Sequence, residues 1–324
     1  MKKFHFKGSE LKISISILIF TVLAIFGFRM FNSYFEVNGA ERSIPIAMAL
    51  DDGYTYPTIV AITSAMKNAN KNTHYDFYIM HPSEFSSENK DKILSLQKKY
   101  KQCSIKLIDM GKEYSNANDV GHITTPAYYR LSLSNLLTNL DKIIWLDGDT
   151  IILKDLQPMF DLDVEDYYYS GFLDDHAEKL NAFGVECERY ICSGVMLVNL
   201  KKLRLDDMVS KFKNFIEENN DKLVQHDQTV INYVCRGKLG RLSPKFGMFN
   251  LYGTAKECRA YSDKLDFEDK YTPKELEKSF NELVIVHCVM KPWKNSDYAF
   301  GKTWWNYAKK TDFYQEILDK YPVF

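Results

Sequence analysis

The sequence has no excess of charge of either sign: 42 Lys+Arg stand against 43 Asp+Glu, a formal net charge of -1. With no positive field to hold a polyanion, nucleic acid is not an expected partner. Cysteine is sparse, and six in 324 residues make neither a disulfide framework nor the paired CxxC spacing of a structural zinc site. Asn-x-Ser/Thr does not occur, so N-linked glycans have no acceptor. Glycine (15) and proline (9) are too few for a collagen-like or low-complexity chain, and no Gly/Pro/Ser-rich linker or internal repeat divides the sequence. What is present is an ordinary globular composition, 45% hydrophobic and 26% charged, with an unusual wealth of aromatics (21 Tyr, 21 Phe) that a tyrosine-rich core accounts for.

One composition shift is sharp. From Ile13 to Phe28 no residue is charged, and Ile, Leu, Val and Phe dominate. At about 1.5 Å per residue such a helix nearly spans a hydrocarbon core of about 30 Å, and Lys12 and Arg29 can snorkel at its ends. Lys2, Lys3, Lys7 and Lys12 precede the run, so the positive-inside rule keeps the N-terminus cytosolic. A cleaved signal peptide is the rival reading, but the small pair Gly39-Ala40 lies far downstream behind Asn38. The expectation is a type II membrane protein: a cytosolic tail (1–12), a transmembrane signal anchor (13–28), a stem (29–42) and a catalytic domain (43–324) on the lumenal or otherwise extracytoplasmic side, where the cysteines could pair.

Beyond the stem, short apolar runs alternate with helical patterns. Ile44–Leu50, Phe77–Met80, Ser104–Ile108 and Lys142–Leu146 read as strands; Ile59, Ile62 and Met66, then Ile93, Leu96 and Tyr100, then Leu133, Leu136, Leu137 and Leu140 recur at helical spacing. The later half is looser, with strands expected at Tyr167–Leu173, Val195–Asn199 and Leu283–Val286. This predicts an α/β domain with a mostly parallel or mixed sheet flanked by helices, whose ligands gather beyond the carboxyl ends of the strands.

Three stretches at such ends carry chemistry. In Ile143-Ile144-Trp145-Leu146-Asp147-Gly148-Asp149 an apolar strand delivers two carboxylates two residues apart, which extended backbone points to one side. Apolar residues on both flanks place them inside the fold, where unpaired carboxylates are costly, and a shared Mg²⁺ or Mn²⁺ suits such oxygens. Asp51 and Tyr54 end the first strand at the same edge. Val286-His287-Cys288-Val289-Met290-Lys291 offers an imidazole and an ammonium.

Taken in order, Asp51-x-x-Tyr54, Ala127-Tyr128-Tyr129-Arg130-Leu131, Leu146-Asp147-Gly148-Asp149, Ser193-Gly194-Val195-Met196-Leu197-Val198-Asn199-Leu200, Asp227-Gln228, and His287 with Lys291-Pro292-Trp293 resemble glycosyltransferase family 8, over about residues 44 to 308. The resemblance implies a GT-A fold, a UDP-sugar donor, Mn²⁺ and transfer with retention to a glycan, glycoprotein or glycolipid hydroxyl. It implies Asp147, Asp149 and His287 as metal ligands. It also implies Asp51, Tyr54, Arg130, Asp147, Asp174, Asp175, Ser193, Gly194 and Lys291 around the donor, and Asp227 and Gln228 beneath the transferred sugar.

Two departures stand out. Cys192-Ser193-Gly194 replaces the family's common Asn-Ala/Ser-Gly, so residue 192 is expected to read sugar hydroxyls less strictly, or else to face the core or join a disulfide with Cys187 or Cys288. His287 and Lys291 are three residues apart where five are usual. Gln228 is an amide and a poor nucleophile, which favours same-face attack by the acceptor over a glycosyl-enzyme. Two alternatives compete: a catalytically silent sugar-binding protein on the same fold, and a haloacid-dehalogenase-type phosphatase, whose similar Asp-x-Asp belongs on a first strand.

Overall fold

The structure, a computed structural model, describes residues 42–115, 125–223 and 225–322. The expected tail, transmembrane segment and nearly all of the stem lie outside the described residues. Among the described residues no helix is long and apolar enough to cross a membrane.

Among the described residues, ten strands form two sheets. The larger has seven strands in the order β3 (Cys103–Asp109), β2 (Thr73–His81), β1 (Arg42–Ala49), β4 (Lys142–Leu146), β7 (Ile191–Asn199), β6 (Tyr169–Leu173) and β8 (Leu239–Arg241). The pairs β2/β3, β1/β4 and β6/β8 are parallel, whereas β7 runs antiparallel to both of its neighbours. The second sheet has the order β5 (Thr150–Ile152), β10 (Ile285–His287), β9 (Phe246–Phe249). The mixed, mostly parallel sheet expected from the alternation is thus present.

Local chemistry accounts for the element ends. Asp51 accepts hydrogen bonds from the backbone N–H of Gly53 (2.9 Å) and Tyr54 (3.2 Å), which turns the chain out of β1 and into the helix Thr55–Asn68. Ser86 caps the helix Ser87–Lys99, which carries Glu88 in its first turn and Lys98 and Lys99 in its last, matching the helix dipole. β7 is buried at all nine positions because it lies in the interior of the larger sheet.

The leucine stripe over 133–140 is not one helix. A 3₁₀ segment, Thr125–Ser132, leads into a single α-turn, Leu133–Leu136, so Leu133 and Leu137 are buried while Leu136 is 39% exposed. Ser134, Asn135, Thr138 and Asn139 interrupt the stripe, and these weak helix formers let the chain turn through Leu137 into β4.

The abundant aromatics mostly pack. Phe172 lies between Tyr261 and Tyr271, with ring centroids 5.6 and 5.2 Å away, and Trp304 and Trp305 are buried beside Trp293. The Tyr271 hydroxyl accepts from Leu173 N–H and donates to the Leu242 carbonyl, both at 2.9 Å, which ties the end of β6 to the segment after β8. Tyr271→Phe leaves both buried backbone groups without this partner and is expected to cost about 1–3 kcal/mol. Urea unfolding checks it: a lower midpoint at unchanged slope is expected, and an unchanged midpoint contradicts the assignment.

Candidate active site

The two sheets meet at a cluster of charged side chains. β4 ends at Leu146 and β5 begins at Thr150, with Asp147, Gly148 and Asp149 between them. The expectation that extended backbone aligns the two carboxylates is corrected: Gly148 and Asp149 form a turn, closed by Thr150 Oγ1 donating to the Asp147 carbonyl at 2.9 Å. Asp147 N–H donates to the Gly194 carbonyl of β7, and the Asp149 carbonyl accepts from Cys288 N–H, both at 2.8 Å. Each carboxylate is therefore fixed to a different sheet, and the turn brings them together. A side chain at position 148 would place its Cβ 2.4 Å from Thr58 Oγ1, so glycine is required there by space.

His287 ends β10 in register with Thr150. Its ring occupies the volume that a side chain at Gly194 would fill, since a Cβ there would lie 2.1 Å from His287 Cε1. His287 Nε2 is 3.2 Å from Asp149 Oδ1 and 3.9 Å from Asp147 Oδ2, and the ligand atoms of the three residues lie within 4.8 Å of one another. Asp149 Oδ1 is buried and meets His287 Nε2 as an ion pair, without a hydrogen bond of regular geometry. Burial alone would raise the Asp149 carboxyl, but Lys291 and His287 outweigh it and hold the group well below the usual carboxylate range. The imidazole responds in kind: burial disfavours its charge, yet Asp149 holds it well above the usual histidine range. A buried carboxylate oxygen facing an imidazole nitrogen fits a hard or borderline divalent cation.

Arg130 links this cluster to the rest of the cleft. Its guanidinium is buried, stacked 4.4 Å over the Trp145 ring, and bonded by Nη2 to Asp147 Oδ1 at 2.9 Å and by Nη1 to the Ser193 carbonyl. Arg130 Nε donates to the Ala127 carbonyl at 2.8 Å and so meets Asp227 Oδ2, 3.1 Å away, as an ion pair without a hydrogen bond. Gln228 is fixed by three neighbours: Nε2 donates to Asp174 Oδ2 (3.1 Å) and Gln225 Oε1 (3.0 Å), and Oε1 accepts from Ser193 N–H (3.0 Å). Lys291 bonds to Asp149 Oδ2, with its ammonium 5.8 Å from the Tyr54 ring centroid.

Asp51, Tyr54, Arg130, Asp147, Asp149, Asp174, Asp175, Ser193, Gly194, Asp227, Gln228, His287 and Lys291 all line one cleft of about 630 Å³. Sequence reasoning did not find His176, Tyr252 or Lys264, which line it too. His176 Nδ1 lies 2.6 Å from Asp174 Oδ1 and 3.3 Å from Asp175 Oδ1, and that hydrogen bond raises the imidazole above its usual range. Its place directly after the two aspartates was the available signal. The cysteine expectation is resolved as well: all six thiols are free, and Cys192 turns its sulfur to His287 Nδ1 at 3.6 Å.

The sequence pattern of Glycosyl transferase family 8 matches residues 45–297. The chain belongs to that family. It is 25% identical over 289 residues to the lipopolysaccharide 1,2-glucosyltransferase of Escherichia coli, covering 86% of this chain and 78% of that one. A Haemophilus influenzae relative is 26% identical over 212 residues, and the chain spans 63% of its length. Among solved structures the galactosyltransferase LgtC, in complex with donor and acceptor sugar analogs, superposes with a TM-score of 0.70 at 21% identity, over 83% of this chain and 96% of that one. That likeness establishes the fold as GT-A-like.

Burial pushes the Asp227 carboxyl up to about 6, with Arg130 opposing. In the unfolded chain the group titrates near about 3.9. Its folded value is the higher one, so its contribution to stability is full below about pH 4 and is lost as pH rises through about 6. Asp227→Asn removes the titration. Relative to the parent, the variant's urea midpoint is expected to rise between about pH 4 and about pH 6.5; a difference that stays constant over that range contradicts the shift.

Proposed function

We propose that the protein is a retaining glycosyltransferase that moves a hexose or related sugar from a UDP-sugar to a hydroxyl on a glycan, glycoprotein or glycolipid, with Mn²⁺ or Mg²⁺ at Asp147, Asp149 and His287. The observation that carries it is the convergence of those three residues on one space, with a buried Asp149 oxygen that receives no hydrogen bond. A divalent cation bound there supplies neutralisation of the diphosphate's charge as the sugar departs. Arg130 orients Asp147 through Oδ1, so that this carboxylate keeps its other oxygen for the cation. Lys291, already charged and paired with Asp149, exchanges that partner for a phosphate oxygen of the donor. Gln228 cannot turn freely, since Asp174, Gln225 and Ser193 fix its amide, and it orients the sugar more readily than it attacks it. The acceptor hydroxyl then reaches the anomeric carbon from the face that the diphosphate leaves. The phosphatase reading is disfavoured because the Asp-x-Asp follows the fourth of the described strands rather than the first.

Asp149→Asn, and likewise Asp147→Asn, is expected to fold while losing at least about 10²-fold of UDP release from a nucleotide sugar with Mn²⁺ present. Full activity of either variant in EDTA overturns the metal assignment. Donor binding by the parent without any UDP release supports the catalytically silent protein instead.

We also propose that the apolar run 13–28 anchors the chain, with the domain on the side opposite the N-terminal lysines. Digestion of sealed membrane vesicles that keep their native orientation tests it. The domain is expected to survive protease until detergent is added if its side is enclosed. Loss of the domain from vesicles whose cytosolic face is outward reverses the orientation, and a mature N-terminus near Glu41 replaces the anchor by a cleaved signal.

A further inference from the structure

His287 can offer a lone pair at Nε2 only if its other nitrogen carries the proton, and a buried N–H needs an acceptor. The sulfur of Cys192, at 3.6 Å, faces Nδ1 from the neighbouring sheet. That sulfur also accepts from Gly194 N–H at 3.4 Å, so it lies between a backbone donor and the ring nitrogen, and the thiol is nearly buried at 6% exposure. The ring is otherwise held by shape: the missing Cβ of Gly194 leaves it room, and the Phe249 ring meets it edge-on with centroids 5.8 Å apart. We propose that Cys192 is the positioning residue for His287, accepting the Nδ1 proton on sulfur so that Nε2 faces the space between Asp147 and Asp149. The inference rests on reading those three residues as cation ligands.

The chemistry gives it a magnitude. The second nitrogen of a metal-binding histidine usually donates to a carboxylate, a carbonyl or water, and loss of that partner typically weakens metal binding by about 10- to 100-fold. Sulfur is a weaker acceptor than these, so the effect here belongs at the lower end. This role is separate from any contact with the sugar, because it concerns the cation even in the absence of donor.

The test is Mn²⁺ affinity of the full chain without nucleotide sugar, read from the electron paramagnetic resonance signal of free Mn²⁺, beside melting temperatures in EDTA. Cys192→Ala is expected to bind Mn²⁺ about 10-fold more weakly than the parent at a similar melting temperature, while Cys192→Ser, which keeps an acceptor, loses less. A lower melting temperature with unchanged Mn²⁺ affinity shows a purely structural thiol and overturns the proposal. If Cys192→Ala does not fold, Cys192→Val, which fills the space with apolar carbon and also lacks an acceptor, carries the same expectation. Asp149→Asn separates the two levels of the reading. Parent binding that Asp149→Asn abolishes and Cys192→Ala leaves unchanged defeats only the role of Cys192. A parent that binds no Mn²⁺, or binding that Asp149→Asn leaves intact, removes the metal site itself.

Discussion

The cleft depends on one buried cation. The Arg130 guanidinium touches Asp147 at the end of β4, the Ser193 carbonyl of β7, Asp227 in the helix His226–Val234, and the face of Trp145. A guanidinium suits this place because it stays charged when desolvated and carries donors in several directions. Without it, Asp227 would be a buried carboxylate lacking its counter-charge, an arrangement that proteins rarely sustain, and the half-buried Asp147 would lose its partner. Arg130 comes from a 3₁₀ segment rather than from a sheet strand, so an irregular piece of chain holds the middle of the site together.

A second balance operates on the other sheet. Asp149 sits between Lys291 and His287, and this pairing keeps a nearly buried carboxylate ionised. The two charge groups are joined by the Asp147–Gly148–Asp149 turn, which leaves the seven-stranded sheet and enters the three-stranded one. Any cation bound to both carboxylates would therefore clamp the sheets to each other. The same turn explains why two glycines matter: Gly148 clears Thr58, and Gly194 admits the His287 ring.

Rings and aliphatic carbon also line the cleft. Tyr252, Tyr261, Leu251 and Lys264 line it, and Leu251 is half exposed. The cleft thus combines charged groups with rings and aliphatic carbon.

Much of this was legible in the sequence because it is local or periodic. Apolar runs specified β1 to β4, an Asp-x-Asp at a strand end specified where charge would collect, and the order of six short motifs specified the family. The leucine stripe misled because side-chain spacing does not register the weak helix formers between the leucines, and the chain turned there. The side-by-side placement of Asp147 and Asp149 was expected for the wrong reason, since backbone hydrogen bonds to Gly194 and Cys288 override extended alternation. Partners distant in sequence were decided only by tertiary structure: Arg130 with Asp147 and Asp227, Lys291 with Asp149, Cys192 with His287. Sequence fixes which groups exist and the local turns that carry them, but the field and acceptors around each group come from residues 17 to 142 positions away, brought close by the packing of two sheets.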